Sequence, residues 1–228
     1  MVDFRQMTRP ALAILILIAA AAATSAQAPA TPAQAPQISD VTHSSDLGFT
    51  YSIPSDWEVV DAHPMLPAVK QQQSQTAATE EEKKGIECVQ VSLTARHGAP
   101  PSVIVVVELP YSCFGQTMSQ TDLPGFAQGA SEGLKKSFNI SDPEYGAYPL
   151  GSHNFWIERA KGTVIDHPEA VYEVEIACTL LKKGAGCWMA MASNADALQT
   201  FETGKISLDG EAAVPLVPAT AFDKKPGQ

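Results

Sequence analysis

The chain has little positive charge. Its 228 residues contain 15 Lys and Arg against 25 Asp and Glu, a formal net charge of −10. Nucleic acid phosphates and anionic lipid headgroups attract basic surfaces, so this balance argues against binding to either. We therefore expect no nucleic acid partner and no docking on an anionic membrane.

Long hydrophobic runs are also scarce. The apolar run at residues 11–23 has 13 residues, whereas a membrane-spanning helix needs about 20. Arg5 and Arg9 precede the run, and small residues follow it as far as Ala26. This order is typical of a secretory signal peptide. We expect residues 1–26 to be removed near Ala26, which leaves an exported protein, periplasmic or extracellular, without a membrane span.

The familiar motifs of catalysis and cofactor binding are missing. The chain has no G-x-S-x-G, no phosphate-binding loop, no dinucleotide fingerprint and no H-E-x-x-H. It has no C-x-x-C pair and no His at ligand spacing from a Cys, which argues against zinc. Met189 and Met191 share one face of a predicted strand, where core filling is favoured over a copper-binding role. We expect no metal, no cofactor and no enzymatic activity.

The cysteines are few but even in number: Cys88, Cys113, Cys178 and Cys187. In an exported chain this favours two disulfides, for which three connectivities exist; four buried free thiols are the alternative. The predicted strand register brings Cys88 near Cys113 and Cys178 near Cys187. We therefore favour these two pairs.

Alternating apolar residues predict an antiparallel sheet. The predicted strands cover residues 49–53, 86–95, 103–109, 155–164 and 172–180, and a return strand follows a hairpin loop at 182–186. Residues 103–109 are almost wholly apolar and β-branched, which is typical of a central strand covered on both faces.

Three helices are predicted around this sheet. Residues 67–84 indicate a weakly amphipathic helix, with a long mobile insertion as the alternative. Residues 122–138 indicate a helix that buries Phe126, Ala130, Leu134 and Phe138. A last helix is capped by Ser193 and Asn194 and ends at Gly204.

The helix at 122–138 carries a glycine stripe, Gly125, Gly129 and Gly133, beside its apolar face. Glycine costs about 1 kcal/mol at each helical position, so this spacing indicates a close approach between the helix and the sheet. Backbone packing is the favoured interpretation. A small ligand held between helix and sheet is the other.

Composition divides the chain into four parts. We expect a signal peptide at 1–26, a disordered Ala- and Pro-rich linker at 27–45, one α+β domain at 46–209 and a flexible Pro-containing tail at 210–228.

The segment 48–57, GFTYSIPSDW, is similar to the opening F-x-Y-x-x-P-x-x-W segment of PsbP-like and DcrB-like domains. The order of elements over about residues 46–209 is similar as well. This resemblance implies an antiparallel β-sheet covered by helices, an α/β/α sandwich, in an exported accessory protein. The insertion at 63–85 and the four cysteines depart from those families, so no functional residue is carried over.

Strand alternation separates the polar residues of 152–159. It places His153 and Arg159 on one face and Glu158 on the other, so the three cannot converge. The candidate ligand or partner surface comprises Gly125, Gly129, Gly133, His153 and Arg159.

We favour the interpretation that the protein is a non-catalytic interaction domain stabilised by two disulfides. Its expected partner is another exported or envelope protein. The second interpretation is a small-ligand carrier with a pocket between helix 122–138 and the sheet. The third is an unrecognised hydrolase that uses His153.

Overall fold

The computed structural model describes residues 40–77, 79–98, 101–115, 117–135 and 138–223. The predicted signal peptide, most of the predicted linker and the end of the predicted tail lie outside these ranges.

Within these ranges the chain forms eleven strands and five helices. In chain order they are β1 (Val41–Ser44), β2 (Phe49–Ile53), β3 (Glu58–Val59), α1 (Leu66–Thr76), α2 (Glu80–Cys88), β4 (Gln90–Gly98), β5 (Pro101–Pro110), α3 (Tyr111–Phe114), α4 (Leu123–Leu134), β6 (Phe138–Leu150), β7 (His153–Val164), β8 (His167–Leu180), β9 (Gly184–Ala192), α5 (Ala195–Thr203), β10 (Lys205–Leu208) and β11 (Val214–Pro215).

A seven-stranded antiparallel sheet forms the middle layer, in the order β3-β4-β5-β9-β8-β7-β6. Residues 102–109 of β5 are all buried, as expected for a β-branched strand between two layers. The predicted α+β class, an antiparallel sheet covered by helices, is confirmed.

One side of this sheet, here called the helical face, carries α1, α2 and α4. Leu66 and Val69 of α1, Ile86 of α2 and Phe126 and Ala130 of α4 share one buried cluster with the sheet. The periodic apolar residues of α4 therefore do what their spacing predicts: they bury one side of the helix.

The opposite side, here called the small-sheet face, carries α5 and a second sheet in the order β1-β2-β10-β11. Trp188 lies at its centre, with its ring centroid 4.8 Å from that of Phe49 and 5.8 Å from that of Phe155. Asn194 caps α5 as predicted, because its side chain accepts a hydrogen bond from the amide of Ala197.

Both predicted disulfides are present. Cys88 at the end of α2 is bonded to Cys113 in α3, with their Cα atoms 5.6 Å apart. Cys178 of β8 is bonded to Cys187 of β9, and the two residues are direct register partners. The described residues contain no free cysteine.

Three predicted element boundaries are wrong. The single helix at 67–84 is two helices, because Ala77 takes an extended backbone and ends α1. The strand predicted from residue 86 begins at Gln90, because α2 continues through Cys88. The helix predicted to reach Phe138 ends at Leu134, and Phe138 instead pairs with Val164 in the sheet.

The domain is also longer at both ends than predicted. Residues 41–44, assigned to the linker, form β1, and Ser45 after them donates a hydrogen bond to buried Glu108 at 2.7 Å. In the segment assigned to a flexible tail, Leu216, Val217 and Ala221 are buried against the small-sheet face. Apolar residues among prolines are enough to hold this end on the domain.

Strand β6 is irregular and was not predicted. Its pairing with β7 shifts between Ser141 and Glu144, where Asp142 has a φ of +52° and Pro143 has no N–H to donate. β6 is the last strand of the large sheet, so its outer side is an edge.

Candidate functional site

His153 lies at the start of β7 and is buried. Its Nδ1 is 2.9 Å from the carbonyl oxygen of Leu180, which can only accept, so Nδ1 carries a proton. Its Nε2 is 3.2 Å from Oδ2 of Asp209, and the ammonium of Lys182 is 3.3 Å from the same oxygen. The ring therefore ties the start of β7 to the end of β10.

This environment does not suit a general base. A base must present a free nitrogen to a substrate, whereas both nitrogens of His153 face protein acceptors. The structure thus favours a structural role for His153 over the hydrolase interpretation.

Arg159 lies on the small-sheet face, near the C-terminal residues. Its Nε donates to Glu175 at 2.8 Å, and its Nη2 donates to Glu202 of α5 at 2.5 Å. The ring of Phe222 stacks on the guanidinium, 4.4 Å from its centroid. Arg159 thus forms ion pairs with two carboxylates.

Glu175 is the most deeply buried acid of this group, with no exposed surface. Burial raises its pKa from 4.5 to about 7, against the opposing effect of Arg159 and with a further rise from Glu202. Its Oε1 has no hydrogen-bond partner among the described residues. Glu175 therefore holds a proton more tightly than an ordinary glutamate.

The other candidate residues lie on the helical face. Gly129 and Gly133 are buried in α4, which lies against β7 and β8, and Gly125 is half-buried. Ser131 between them donates to Oε1 of Glu158 at 2.9 Å. Glu158 thus faces away from His153 and Arg159, as alternation predicts. The five candidate residues form no common surface, because they divide between two faces of the sheet.

An apolar depression lies at the C-terminal end of α4. It is lined by Val103, Val105, Leu134, Met189, Ala190 and Met191, and it encloses about 260 Å³, including the open space above it. Leu134 is its only lining residue from α4, so it lies beyond the glycine stripe and not beneath it. The pocket expected for the carrier, beneath the glycine stripe, is thus displaced toward the end of α4.

Buried and half-buried apolar side chains extend this depression across the sheet. Met191 pairs with Val174, and Val174 lies beside Gly162, whose missing side chain leaves room for Ile140. Val164 and Tyr172 are half-buried on the same face. We call this row, together with the depression, the open apolar face.

Buried acids are the feature that sequence reasoning missed. Glu108, Glu158 and Glu175 all lie within strands and are almost fully buried. Burial alone would raise the pKa of Glu108, but the nearby polar groups of His43, Ser92 and Ser45 lower it. One signal in the sequence could have found two of them. Glu108 and Glu175 lie in strands that are apolar at nearly every position, so neither side of those strands is expected to face solvent.

Two further features are absent from the described residues. No group of three or more His, Cys, Asp or Glu side chains is arranged to hold a metal ion. None of the described helices combines the length and hydropathy needed to cross a bilayer.

Comparison with known proteins gives structural matches alone. No family model matches the chain, and no curated protein matches it. The solution structure of cyanobacterial PsbP (CyanoP) from Synechocystis sp. PCC 6803 is similar over 76% of this chain and 89% of that one, at 12% identity and a TM-score of 0.40. The crystal structure of LpqN, involved in cell envelope biogenesis of Mycobacterium tuberculosis, is similar over 79% and 93%, at 13% identity and a TM-score of 0.37. The first is a PsbP, the family that residues 48–57 resemble.

Proposed function

We propose that this protein is an exported, non-catalytic accessory domain that binds another envelope or exported protein through the open apolar face. The observation that carries the proposal is the wholly apolar depression lined by Val103, Leu134, Met189 and Met191. Its apolar lining suits an aliphatic or aromatic side chain of a partner, which needs no polar group to hold it.

The surroundings of the depression support a protein partner. Ile140, Val164 and Tyr172 continue the apolar surface beyond it and are only half-buried. Burying one partner side chain there contributes about 1.5–3 kcal/mol, which is the contribution expected of an interface anchor. The engagement of both nitrogens of His153 is consistent with a role that needs no catalysis.

Export is the second part of the proposal. Two disulfides suit an oxidising compartment, where they form and persist. The intact mass of the protein recovered from a periplasm tests it. The expected mass is that of residues 27–228 less four hydrogen atoms, and a mass that retains residues 1–26 would contradict export by signal cleavage.

The binding test uses two matched charge substitutions. Met191→Glu places a carboxylate at the mouth of the depression, and Val171→Glu places one on β8 at a residue that is 50% exposed. We expect a partner recovered with the wild type to be retained by Val171→Glu and weakened about tenfold or more by Met191→Glu, since an unpaired charge is costly in an apolar contact. Each variant is first checked for both disulfides by mass.

Two results would overturn the protein-binding role. One is a partner that binds Met191→Glu as tightly as the wild type. The other is a small apolar molecule that leaves with the native wild-type protein in mass spectrometry and is lost from Met191→Glu, which would establish the carrier function instead.

A further inference from the structure

The last described residues, 214–223, lie on the small-sheet face and are here called the C-terminal strap. The strap begins with β11 and continues through bends and turns. Two backbone hydrogen bonds fasten it to the end of α5: Leu216 N donates to Gly204 O at 2.9 Å, and Val217 N donates to Glu202 O at 3.0 Å. The strap is thus attached at Glu202, whose side chain also accepts a hydrogen bond from Arg159.

The far end of the strap covers Arg159. The ring of Phe222 stacks on its guanidinium, and the carbonyl oxygen of Ala221 lies so close to Gly146 that a Cβ there would clash with it. Tyr148 adds a third attachment by donating to Leu216 O at 2.8 Å. The strap therefore closes one side of the site in which Arg159 bonds its two carboxylates.

Beneath the strap, one guanidinium serves two carboxyl groups. If Glu175 and Glu202 are both ionised, Arg159 balances only one of the two charges, and Oε1 of Glu175 keeps no partner. The other titratable groups that act on this cluster are Glu144 from β6, next to Arg159, and the hydroxyls of Tyr51 and Tyr148 near Glu175. None of these supplies a second cation.

Ionisation of Glu175 therefore favours water in this site. A buried, incompletely paired charge is costly, and hydration relieves the cost. The element that can admit water with the least disruption is the strap. The short pairing of β11 with β10, two further backbone hydrogen bonds, the Tyr148 hydroxyl, the Phe222 stack and three buried side chains hold it, whereas the strands below are paired along their length.

We propose that the C-terminal strap is a proton-gated cover: it lies closed over Arg159 while Glu175 carries a proton, and it opens when that proton passes to bulk water.

The way strap opening depends on pH follows from the linkage between opening and the protonation of Glu175. Burial raises the pKa of Glu175 to about 7 in the structure described here, in which the strap is closed. Water admitted by an open strap removes this effect of burial, so the pKa of Glu175 returns toward its ordinary value. The open form thus loses its proton first as the pH rises. The ratio of open to closed strap grows between about pH 4.5 and pH 7, by at most about 300-fold, and is constant above that.

Hydrogen exchange of the full mature chain tests this. The amides of Leu216 and Val217 report strap opening, and the amide of Ala190 in β9 reports unfolding of the core. After correction for the pH dependence of chemical exchange, we expect the protection of the two strap amides to fall about tenfold or more between pH 5 and pH 7.5, while that of Ala190 falls less.

Three variants distinguish strap opening controlled by Glu175 from a general loss of stability of the domain. Glu175→Gln keeps the shape of the protonated acid, so its strap protection should be independent of pH. Glu158→Gln removes a buried acid from the other face and should respond as the wild type does. Phe222→Ala removes both the stack on Arg159 and the packing of this ring against the small-sheet face, and it should open the strap at every pH.

Two outcomes would overturn the proposal. In one, strap and core amides lose protection in parallel at all pH values, which means that the strap does not open on its own. In the other, Glu175→Gln retains the wild-type pH response, which means that another group controls it. Neither outcome touches the open apolar face, which lies on the other side of the sheet.

Discussion

The bridge between Cys88 and Cys113 should contribute a large part of the stability of the fold. The double substitution Cys88→Ala with Cys113→Ala opens a loop of 25 residues that joins α2 to α3. In the chain-entropy treatment, a loop of this length corresponds to about 3–4 kcal/mol at 25 °C. Cys88 is buried, so losing its sulfur adds about 1 kcal/mol, whereas Cys113 is exposed and adds little.

The assay is urea unfolding at 25 °C and pH 7, followed by tryptophan fluorescence. We expect the free energy of unfolding to fall by about 4–5 kcal/mol, which is a large share of the 5–15 kcal/mol typical of a domain. The matched control is Cys178→Ala with Cys187→Ala, whose 9-residue separation gives about 2–3 kcal/mol from the same treatment, plus about 2 kcal/mol for two buried sulfurs.

Because the two loops do not overlap along the chain, the entropic parts of the two losses should add. A loss below about 1 kcal/mol for the Cys88 and Cys113 variant, with unchanged m, would refute this reasoning. It would mean that the unfolded chain, or the native contacts around α2, already supplies the constraint credited to the bridge.

Three other substitutions test the buried polar groups and the close backbone contact. Glu175→Gln should make thermal stability less dependent on pH. The raised pKa of Glu175 contributes about 3 kcal/mol of stability that is present below pH 4.5 and lost as the pH rises to about 7. Calorimetry should therefore show the variant gaining stability relative to the wild type as the pH rises across that range. Glu108→Gln should act in the opposite sense, because the lowered pKa of Glu108 contributes stability above its unfolded value; urea unfolding should show a loss of about 1–3 kcal/mol at pH 7 that shrinks as the pH falls below 4. Gly146→Ala places a Cβ against the carbonyl of Ala221, so Tm should fall by several degrees and the strap amides should lose protection even in acid; an unchanged Tm would contradict the close contact.

Much of the large sheet could be predicted from sequence, because side-chain alternation is a local property. The alternation of Val174, Ile176 and Cys178, with the return through Met189, sets the register of β8 and β9 and hence one disulfide. The same alternation places Glu158 and Arg159 on opposite faces. Both inferences depend on nothing beyond the two-residue period of a strand.

The strands that were not predicted are stabilised by pairing with residues that are distant in the sequence. Residues 138–150 contain Pro143, Pro149 and several polar side chains, so their extended form is stabilised by pairing with β7 and not by their own composition. Residues 41–44 become a strand because Ile206 and its neighbours hold β2 in place beside them. Neither signal is present in a window of a few residues.

The candidate site was harder still. Glycine spacing in α4 correctly indicated a packed helix, but not that the apolar depression lies past its end at Leu134. The cluster around Glu175 brings together strands β7 and β8, helix α5 and the strap. Its members are spread over more than 60 residues of sequence, from Arg159 to Phe222, and no motif spacing records such a meeting.

The irregular edge strand β6 affects the tendency of this protein to aggregate. A sheet edge with a straight row of free N–H and C=O groups is a template on which a second molecule adds a strand, and repeated addition leads to fibrils. In β6 the shift between Ser141 and Glu144, the missing N–H of Pro143 and Pro149 and the charge of Asp142 interrupt that row. This edge of the seven-stranded sheet is therefore a poor template for the addition of a strand from a second molecule.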